Sequence, residues 1–227
     1  MHELKTLLFG SIGTIVETSE LQRRAFNQAF DENDIGWEWD TGTYRALLKQ
    51  SGGRQRIEDY ACERGTAVDA TALHARKTEI FNRMMKEEEV LPRPGVLDVV
   101  RAAQSNGVRL GFVTSTSVQN TDAVFNALGG ALSRQDFDFV GDAKMVENSK
   151  PAPDIYQVAK EILQIDPKTC LAIEDTAVSL AAATAADLNC IAFPGAYADV
   201  DEFKSGVIIE RNTLSFEQLL EHMVTIK

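Results

Sequence analysis

The chain has 227 residues, of which 44% are hydrophobic and 25% are charged, and its net charge is -11. This composition fits a soluble globular protein with a sizeable core, and the lack of any basic run argues against a nucleic-acid groove. No segment approaches the roughly 20 consecutive apolar residues of a membrane span. The first ten residues lack the pattern of a signal peptide, because their apolar part is short. We therefore expect a cytoplasmic protein with neither a membrane nor a nucleic-acid partner.

The cysteines give the same indication about the compartment. Cys62, Cys170 and Cys190 are scattered along the chain, without CxxC or any other metal-ligand spacing. Such a set is typical of reduced thiols in a cytosolic protein. We expect all three to be core thiols.

The first part of the chain is predicted to be one strand followed by helices. Residues 4–9 form a continuous apolar run, as expected of a strand buried on both faces. Helical spacing then predicts helices over 19–31, 43–50, 54–64 and 69–88. The segment LPRPG at 91–95 contains two prolines and a glycine, which stop any helix and mark a boundary.

After this boundary, predicted helices and strands alternate strictly. Helices are predicted over 96–106, 118–128, 153–164, 177–187 and 215–225, and strands over 109–114, 137–141, 169–174 and 189–193, with a weaker one over 206–210. Alternation of this kind predicts an α/β fold with a parallel sheet covered on both faces. We therefore predict an α/β core formed by 1–16 and 91–227, with residues 17–90 inserted as a helical cap after the first strand.

Four segments follow predicted strands or begin nearby helices, where sites in such sheets form. They are FGSIGT at 9–14, VTSTS at 113–117, NSKPAPDIY at 148–156 and LAIEDTAVS at 171–179. Each has an ordinary explanation: the hydroxyls at 114–117 could cap a helix, Lys150 could be solvated, and Asp175 could cap the helix that follows it. The pair Glu174-Asp175 is the most informative, because two carboxylates at a buried strand end are costly without a cation.

The order of these segments resembles the haloacid dehalogenase (HAD) superfamily, over essentially the whole chain. More closely, ETSELQRRAFNQAF, WEWDTGTYRALLKQSGGRQRIEDY, KPAPDIY and IEDTAVSLAAATAA resemble the CbbY-like branch of its phosphatases and phosphomutases. Members of that branch are sugar-bisphosphate phosphatases, including ones that remove xylulose-1,5-bisphosphate formed beside Rubisco. The resemblance implies a HAD-like Rossmannoid core whose helical cap follows the first strand.

The resemblance also implies a mechanism that this chain cannot follow in full. In the family, a first aspartate attacks phosphorus and a second serves as acid and base, but Gly10 and Ile12 stand at those positions. Thr114 and Lys150 match the residues that stabilise the phosphoryl oxygens. Ser115 and Glu17 are expected to contact the substrate.

The metal position matches Asp175, assisted by Glu174. With the carboxylate at residue 10 missing, we expect Mg2+ to be bound weakly, and we expect no organic cofactor. Gln22 also replaces a histidine that is common at the start of the cap in this family, and Ser179 and Asp187 stand where glycines are usual.

No replacement for the missing nucleophile is evident in the sequence. Ser11 should point away from the site, because side chains alternate on an extended strand. Thr14 has no nearby histidine to activate it, since His2, His74 and His222 all lie outside the motifs.

The segment SGGRQRI at 51–57 is a second candidate for phosphate binding. By itself it indicates a solvated helix start, in which Gly52 and Gly53 permit a tight turn with exposed N–H groups. The family resemblance implies instead that basic residues of this loop face the distal phosphate of a bisphosphate. Arg54 and Arg56 follow the glycines directly, and Arg54 is the better candidate of the two, because it lies nearest the glycines and can hold a phosphate through two parallel hydrogen bonds.

Three functions remain open from the sequence. The favoured one is a HAD-family phosphatase homologue, a pseudoenzyme that binds a phosphorylated sugar without aspartyl-phosphate turnover. The alternatives are an active Mg2+-dependent sugar-phosphate hydrolase with an unusual route, and a non-catalytic subunit that binds a protein partner.

Overall fold

The structure, a computed structural model, describes residues 3–49, 52–204, 208–210 and 212–225. Among these residues, five parallel strands form one sheet in the order β3-β2-β1-β4-β5. The strands are β1 (Thr6–Phe9), β2 (Arg109–Phe112), β3 (Phe139–Val140), β4 (Cys170–Glu174) and β5 (Asn189–Ala192). The α/β fold with a parallel sheet, predicted from the alternation of elements, is confirmed.

Helices account for most of the remaining secondary structure. Four lie between β1 and β2 within residues 17–90: α1 (Ser19–Asp31), α2 (Thr41–Leu47), α3 (Gly53–Arg64) and α4 (Ala70–Glu87). The others are α5 (Val96–Ser105), α6 (Val118–Ala127), α7 (Asp154–Leu163), α8 (Ala177–Ala185) and α9 (Phe216–Thr225). We call residues 17–90 the helical segment; its status as a separate cap domain stays a prediction.

The helical segment is packed around aromatic rings of its own. Phe26 and Phe30 of α1 contact Trp39, with ring centroids 4.7 and 4.8 Å from that of Trp39. All three side chains are fully buried. The apolar spacing that predicted α1 thus reflects burial against this cluster.

The strands are shorter than the apolar runs that predicted them. β2 ends at Phe112, and the buried residues Val113 and Thr114 follow it; Val113 N still donates to Phe9 O at 2.7 Å. β3 comprises two residues. The weak strand predicted over 206–210 lies partly outside the described residues; within it, Ile209 forms an isolated parallel bridge with Ala192.

Two expectations about the chemical environment can be compared with the structure. No helix among the described residues has both the length and the apolar character needed to cross a membrane. Cys170 is buried and Cys190 is half-buried, but Cys62 is exposed on α3, so the expectation of three core thiols was wrong for Cys62.

The strand order determines where a site can form. The chain adds β2 and β3 on one side of β1 and then crosses to add β4 and β5 on the other. A crevice forms beyond the carboxyl ends of the strands at such a reversal. Here the reversal brings together the ends of β1, β2 and β4, which carry three of the four candidate segments.

Candidate functional site

A cavity of about 480 Å³ lies beyond these strand ends, between the sheet and the helical segment. Its walls include Thr114, Ser115, Lys150, Glu174 and Asp175 on the sheet side. On the helical side they include Gln22, Gly52, Gly53, Arg54, Arg56, His74 and Lys77. The structure therefore brings most of the predicted site residues into one cavity.

The turn after β1 is tight and has little spare room. Gly10 continues the strand and donates its N–H to Ile173 O at 2.9 Å. Gly13 has a φ of +88°, a left-handed conformation that favours glycine, and a Cβ there would overlap the Asp175 carboxylate. A Cβ at Gly10 would overlap Glu174 Oε2 and lie 2.6 Å from Thr14 Oγ1. The space beside Gly10 is thus filled by Glu174.

Lys150 and Glu174 form a buried ion pair next to this turn. Lys150 Nζ binds Glu174 Oε1 and also donates to Val113 O at 3.1 Å. Tyr156 Oη donates to the same Oε1 atom. The exposed fraction is 8% for the Lys150 side chain and 1% for the Glu174 side chain, so the interpretation of Lys150 as a solvated lysine was wrong.

Asp175 lies beside the pair, and no described cationic side chain forms an ion pair with it. Its Oδ1 atom accepts a hydrogen bond from Thr14 Oγ1 at 3.5 Å, at the long limit for such a bond. Desolvation, followed by the charges of Glu174 and Glu17, raises the pKa of Asp175 well above its ordinary value. The alternative that Asp175 caps the next helix was wrong, because Thr176 accepts from Ser179 N at 3.2 Å at the start of α8.

These residues do not supply the donor set of a resident Mg2+ ion. Mg2+ requires octahedral oxygen ligands, usually from one or two carboxylates that are free to bind it. The Oε1 atom of Glu174 is held by Lys150 and Tyr156, Gly10 has no side chain, and no group of three potential ligands is found among the described residues. Asp175 and the Oε2 atom of Glu174 remain available, which fits at most a hydrated, weakly held ion.

The loop after β2 supplies hydroxyl groups to the cavity. Thr114 is buried, and its Oγ1 atom accepts from Thr116 N at 3.1 Å, whereas Ser115 is half-buried on the cavity wall. Ser117 caps α6 by accepting from Asn120 N at 3.2 Å. Capping, one of the two interpretations of this loop, therefore applies to Ser117 and leaves Thr114 and Ser115 facing the cavity.

The helical side of the cavity includes the start of α3. Gly52 has a φ of +96° and precedes the first residue of the helix, Gly53. Arg54 lines the cavity, but it is 53% exposed and pairs with Glu58 one turn along the helix. Ser51, the first residue of the predicted loop, lies outside the described residues.

Sequence reasoning missed two basic residues of this wall, His74 and Lys77, and ranked a third, Arg56, below Arg54. Arg56 is buried, and its Nε atom donates to Leu47 O at 2.9 Å. Lys77 is 3% exposed, binds Gln22 Oε1, and lies 4.7 Å from the ring centroid of Phe26. The available signal was position, since Lys77 interrupts the apolar face of α4.

Burial shifts the titration of these bases. Desolvation, reinforced by the charge of Arg56, lowers the pKa of Lys77 to about 7. Desolvation followed by the charge of Lys77 lowers the pKa of His74 to about 4. Because no carboxylate pairs with Lys77 among the described residues, an anion entering the cavity would find an uncompensated amine there.

The positions of Ser11 and Glu17 relative to the cavity complete this description. Ser11 was expected to point away from the site, but it lines the cavity, because β1 ends at Phe9 and alternation does not continue through the turn. Glu17 accepts from Ser19 N at 2.9 Å and from Ala196 N at 2.6 Å. It therefore links the start of α1 to the loop after β5 and is not among the residues that line the cavity.

Arg93, in the predicted boundary segment, fixes this side of the site. It donates to Phe193 O at 2.7 Å and to Pro194 O at 2.8 Å, and it also binds Gly13 O. Its guanidinium lies 3.5 Å from the ring centroid of Phe193. Arg93 thus joins the turn after β1 to the loop after β5.

Comparison with known proteins agrees with this geometry. The model of the family described as haloacid dehalogenase-like hydrolase matches residues 4–187. Protein CbbY of Cereibacter sphaeroides is 38% identical over 203 residues, which cover 88% of both chains. Protein CbbY of Rhodobacter capsulatus is 34% identical over 206 residues, covering 89% of this chain and 91% of the relative.

Solved structures show the same likeness. The crystal structure of CbbY from Rhodobacter sphaeroides with phosphate has a TM-score of 0.84 at 38% identity and covers 95% of this chain and 96% of that one. An aspartate-to-asparagine mutant of the same protein, in complex with xylulose-(1,5)bisphosphate, has a TM-score of 0.83 at 37% identity. The match covers 91% of this chain and 93% of that one. The chain belongs to the haloacid dehalogenase-like hydrolases, in their CbbY-like branch.

Proposed function

We propose that this protein binds a phosphorylated sugar, in particular a sugar bisphosphate, without forming an aspartyl-phosphate. One observation carries the proposal: a single cavity holds cationic side chains at both ends and has no carboxylate at residues 10 and 12. The arrangement has the charges needed to bind two anionic groups and lacks the group that attacks phosphorus in the family.

The sheet side supports binding of one phosphate. Lys150 supplies a positive charge, and the Thr114 and Ser115 hydroxyls lie on the same wall. Charge-assisted hydrogen bonds of this kind are about twice as strong as neutral ones. A phosphate here has to share Lys150 with Glu174, which limits its affinity.

The helical side supports binding of a second phosphate. Arg54 and Arg56 follow the turn at Gly52 and Gly53, where the first N–H groups of α3 lack helical partners. Lys77 adds an amine to the same wall. A ligand with phosphates at both ends matches this distribution better than a monophosphate does.

The proposed absence of aspartyl-phosphate turnover follows from residues 10 and 12. Gly10 cannot accept a phosphoryl group, and Ile12 cannot protonate a leaving alkoxide. Loss of a nucleophile from a coordinated catalytic set lowers rates by roughly 10⁴- to 10⁶-fold. Weak Mg2+ binding at Asp175 and Glu174, the role of residues 17–90 as a cap and a cytoplasmic location are part of the same proposal.

The relatives support this ligand class. The CbbY structure in complex with xylulose-(1,5)bisphosphate is a close structural neighbour. A purely structural subunit with a protein partner explains less, because it gives no reason for buried basic residues such as Lys77 around a cavity.

Calorimetry with xylulose-1,5-bisphosphate and its monophosphates tests the proposal. Arg54→Ala should weaken bisphosphate binding by roughly 10- to 100-fold, since a hydrogen bond to a charged group contributes about 1.5–3 kcal/mol. The matched variant Glu58→Gln frees Arg54 from its ion pair and should strengthen bisphosphate binding. Monophosphate binding should barely change in either variant.

Two results would contradict the proposal. Equal losses for bisphosphate and monophosphate in Arg54→Ala would remove Arg54 from the distal phosphate. Rapid Mg2+-dependent release of phosphate from sugar phosphates by the unaltered protein would show that it is an ordinary phosphatase.

A further inference from the structure

Glu174 lies in the space that a side chain at residue 10 would take. The strand register pairs Phe9 with Ile173, so the next residues, Gly10 and Glu174, are neighbours at the ends of β1 and β4. A Cβ at residue 10 would overlap Glu174 Oε2 and lie 2.9 Å from Glu174 Cδ. A carboxylate is therefore present beside the turn, although it comes from a different strand.

The two oxygens of this carboxylate differ in their surroundings. Both Lys150 Nζ and Tyr156 Oη bind Oε1, which fixes the orientation of the group. Oε2 points toward Gly10 and receives no hydrogen bond from any described residue. Glu174 also lines the cavity that contains Thr114 and Ser115. Oε2 is thus an oriented carboxylate oxygen whose lone pairs remain available.

The geometry points to Glu174 as a relocated phosphoryl acceptor, able to take a phosphoryl group from acyl phosphates. This goes beyond the proposed binding function, which excludes only transfer to residue 10. Lys150 compensates the negative charge that would otherwise repel the incoming phosphoryl group. The ion pair then has a role in transfer as well as in packing.

The class of donor follows from what the site lacks. Ile12 cannot deliver a proton, so a leaving group has to depart as a stable anion. A carboxylate does so, because its conjugate acid has a pKa of about 4, whereas a sugar alkoxide does not. In the step, a bond forms between Oε2 and phosphorus while the bond from phosphorus to the acyl oxygen breaks, and the departing carboxylate keeps that electron pair. Water later attacks phosphorus, which releases inorganic phosphate, regenerates the Glu174 carboxylate and gives a proton to solvent.

Labelling with acetyl phosphate tests this inference on the full chain. The purified protein is incubated with ³²P-labelled acetyl phosphate, quenched, and mapped by mass spectrometry. We expect up to one phosphoryl group per chain, located on Glu174 and released by hydroxylamine, as an acyl phosphate should be. Glu174→Gln keeps the shape of the side chain and should lose the label, whereas the same substitution at the exposed residue Glu161, outside the cavity, should leave the label on Glu174.

Several outcomes would overturn the inference. These are a wild-type protein without label, a label on any other residue, and a Glu174→Gln variant labelled as strongly as the wild type. Sugar-bisphosphate binding by the same wild-type sample separates the two claims. An unlabelled protein that binds the bisphosphate would refute the role of Glu174 and leave the binding function intact.

Discussion

Restoring an aspartate at residue 10 should destabilise the metal-free protein and create a Mg2+ site. In Gly10→Asp, the added Cβ overlaps Glu174 Oε2 and approaches Thr14 Oγ1 to 2.6 Å. It also places a third carboxylate beside Glu174 and Asp175, and the pKa of Asp175 is already raised by burial and by Glu174. Both effects oppose folding as long as no cation compensates them.

The magnitude can be estimated from these contacts. Overpacking a filled site costs about 1–3 kcal/mol, and the low end applies to the clash itself, because the atoms nearest the added Cβ belong to the ends of the Glu174 and Thr14 side chains and not to the backbone. We therefore expect a loss of about 1 kcal/mol for Gly10→Ala, and about 2–3 kcal/mol for Gly10→Asp, in which like charges add to the clash. Since 1 kcal/mol corresponds to roughly 2–4 °C in Tm for a chain of this size, the two variants should be distinguishable.

Thermal melts in EDTA and in Mg2+ provide the assay. In EDTA the order of Tm should be wild type, Gly10→Ala, Gly10→Asp. Mg2+ should raise the Tm of Gly10→Asp selectively, since an ion that binds only the folded state at 100 times its Kd adds about 2.7 kcal/mol. If Gly10→Asp is as stable as Gly10→Ala in EDTA, or if Mg2+ shifts all three proteins equally, the reasoning about the filled gap is wrong.

Three further predictions concern buried charges. Lys150→Met should destabilise the protein by about 3–5 kcal/mol in urea unfolding, because Glu174 is left buried and unpaired, and the double variant with Glu174→Gln should recover much of that loss. Lys77→Met should raise the free energy of unfolding at neutral pH by about 1 kcal/mol or more, since it removes a desolvated amine that has no carboxylate partner among the described residues. The same substitution should weaken sugar-bisphosphate binding, and unchanged binding would exclude Lys77 from the ligand site. The pKa of His74 is lowered to about 4 in the folded protein, so as the pH falls from about 6.5 to 4 the imidazole is protonated in the unfolded chain first and the protein loses stability. His74→Gln should lose less stability over this pH range. An identical pH profile of stability for the variant and the wild type would contradict this prediction.

The sequence by itself determined the type of fold and the absence of carboxylates at residues 10 and 12. Strand β1 was evident from the unbroken apolar run at 4–9, and the parallel sheet from the alternation of elements after residue 95. These signals are local or periodic, so they can be recognised in the sequence without knowing which residues are in contact. The absence of carboxylates at Gly10 and Ile12 is equally a property of the sequence, since no folding can restore a side chain that is not there.

Only the tertiary structure decided how the gap beside Gly10 is filled and which charges face the cavity. Whether Glu174 binds a cation or occupies that gap depends on the register of β1 against β4 and on Lys150 reaching Glu174 from the turn that precedes α7. Lys77 likewise becomes a cavity residue because α4 packs against α1, which places its amine beside Gln22. Contacts between residues far apart in the chain leave no periodic trace, and a lysine or glutamate has the same letter whether it is solvated or buried. Burial and pairing, which fix the charge and reactivity of these groups, are set by packing alone.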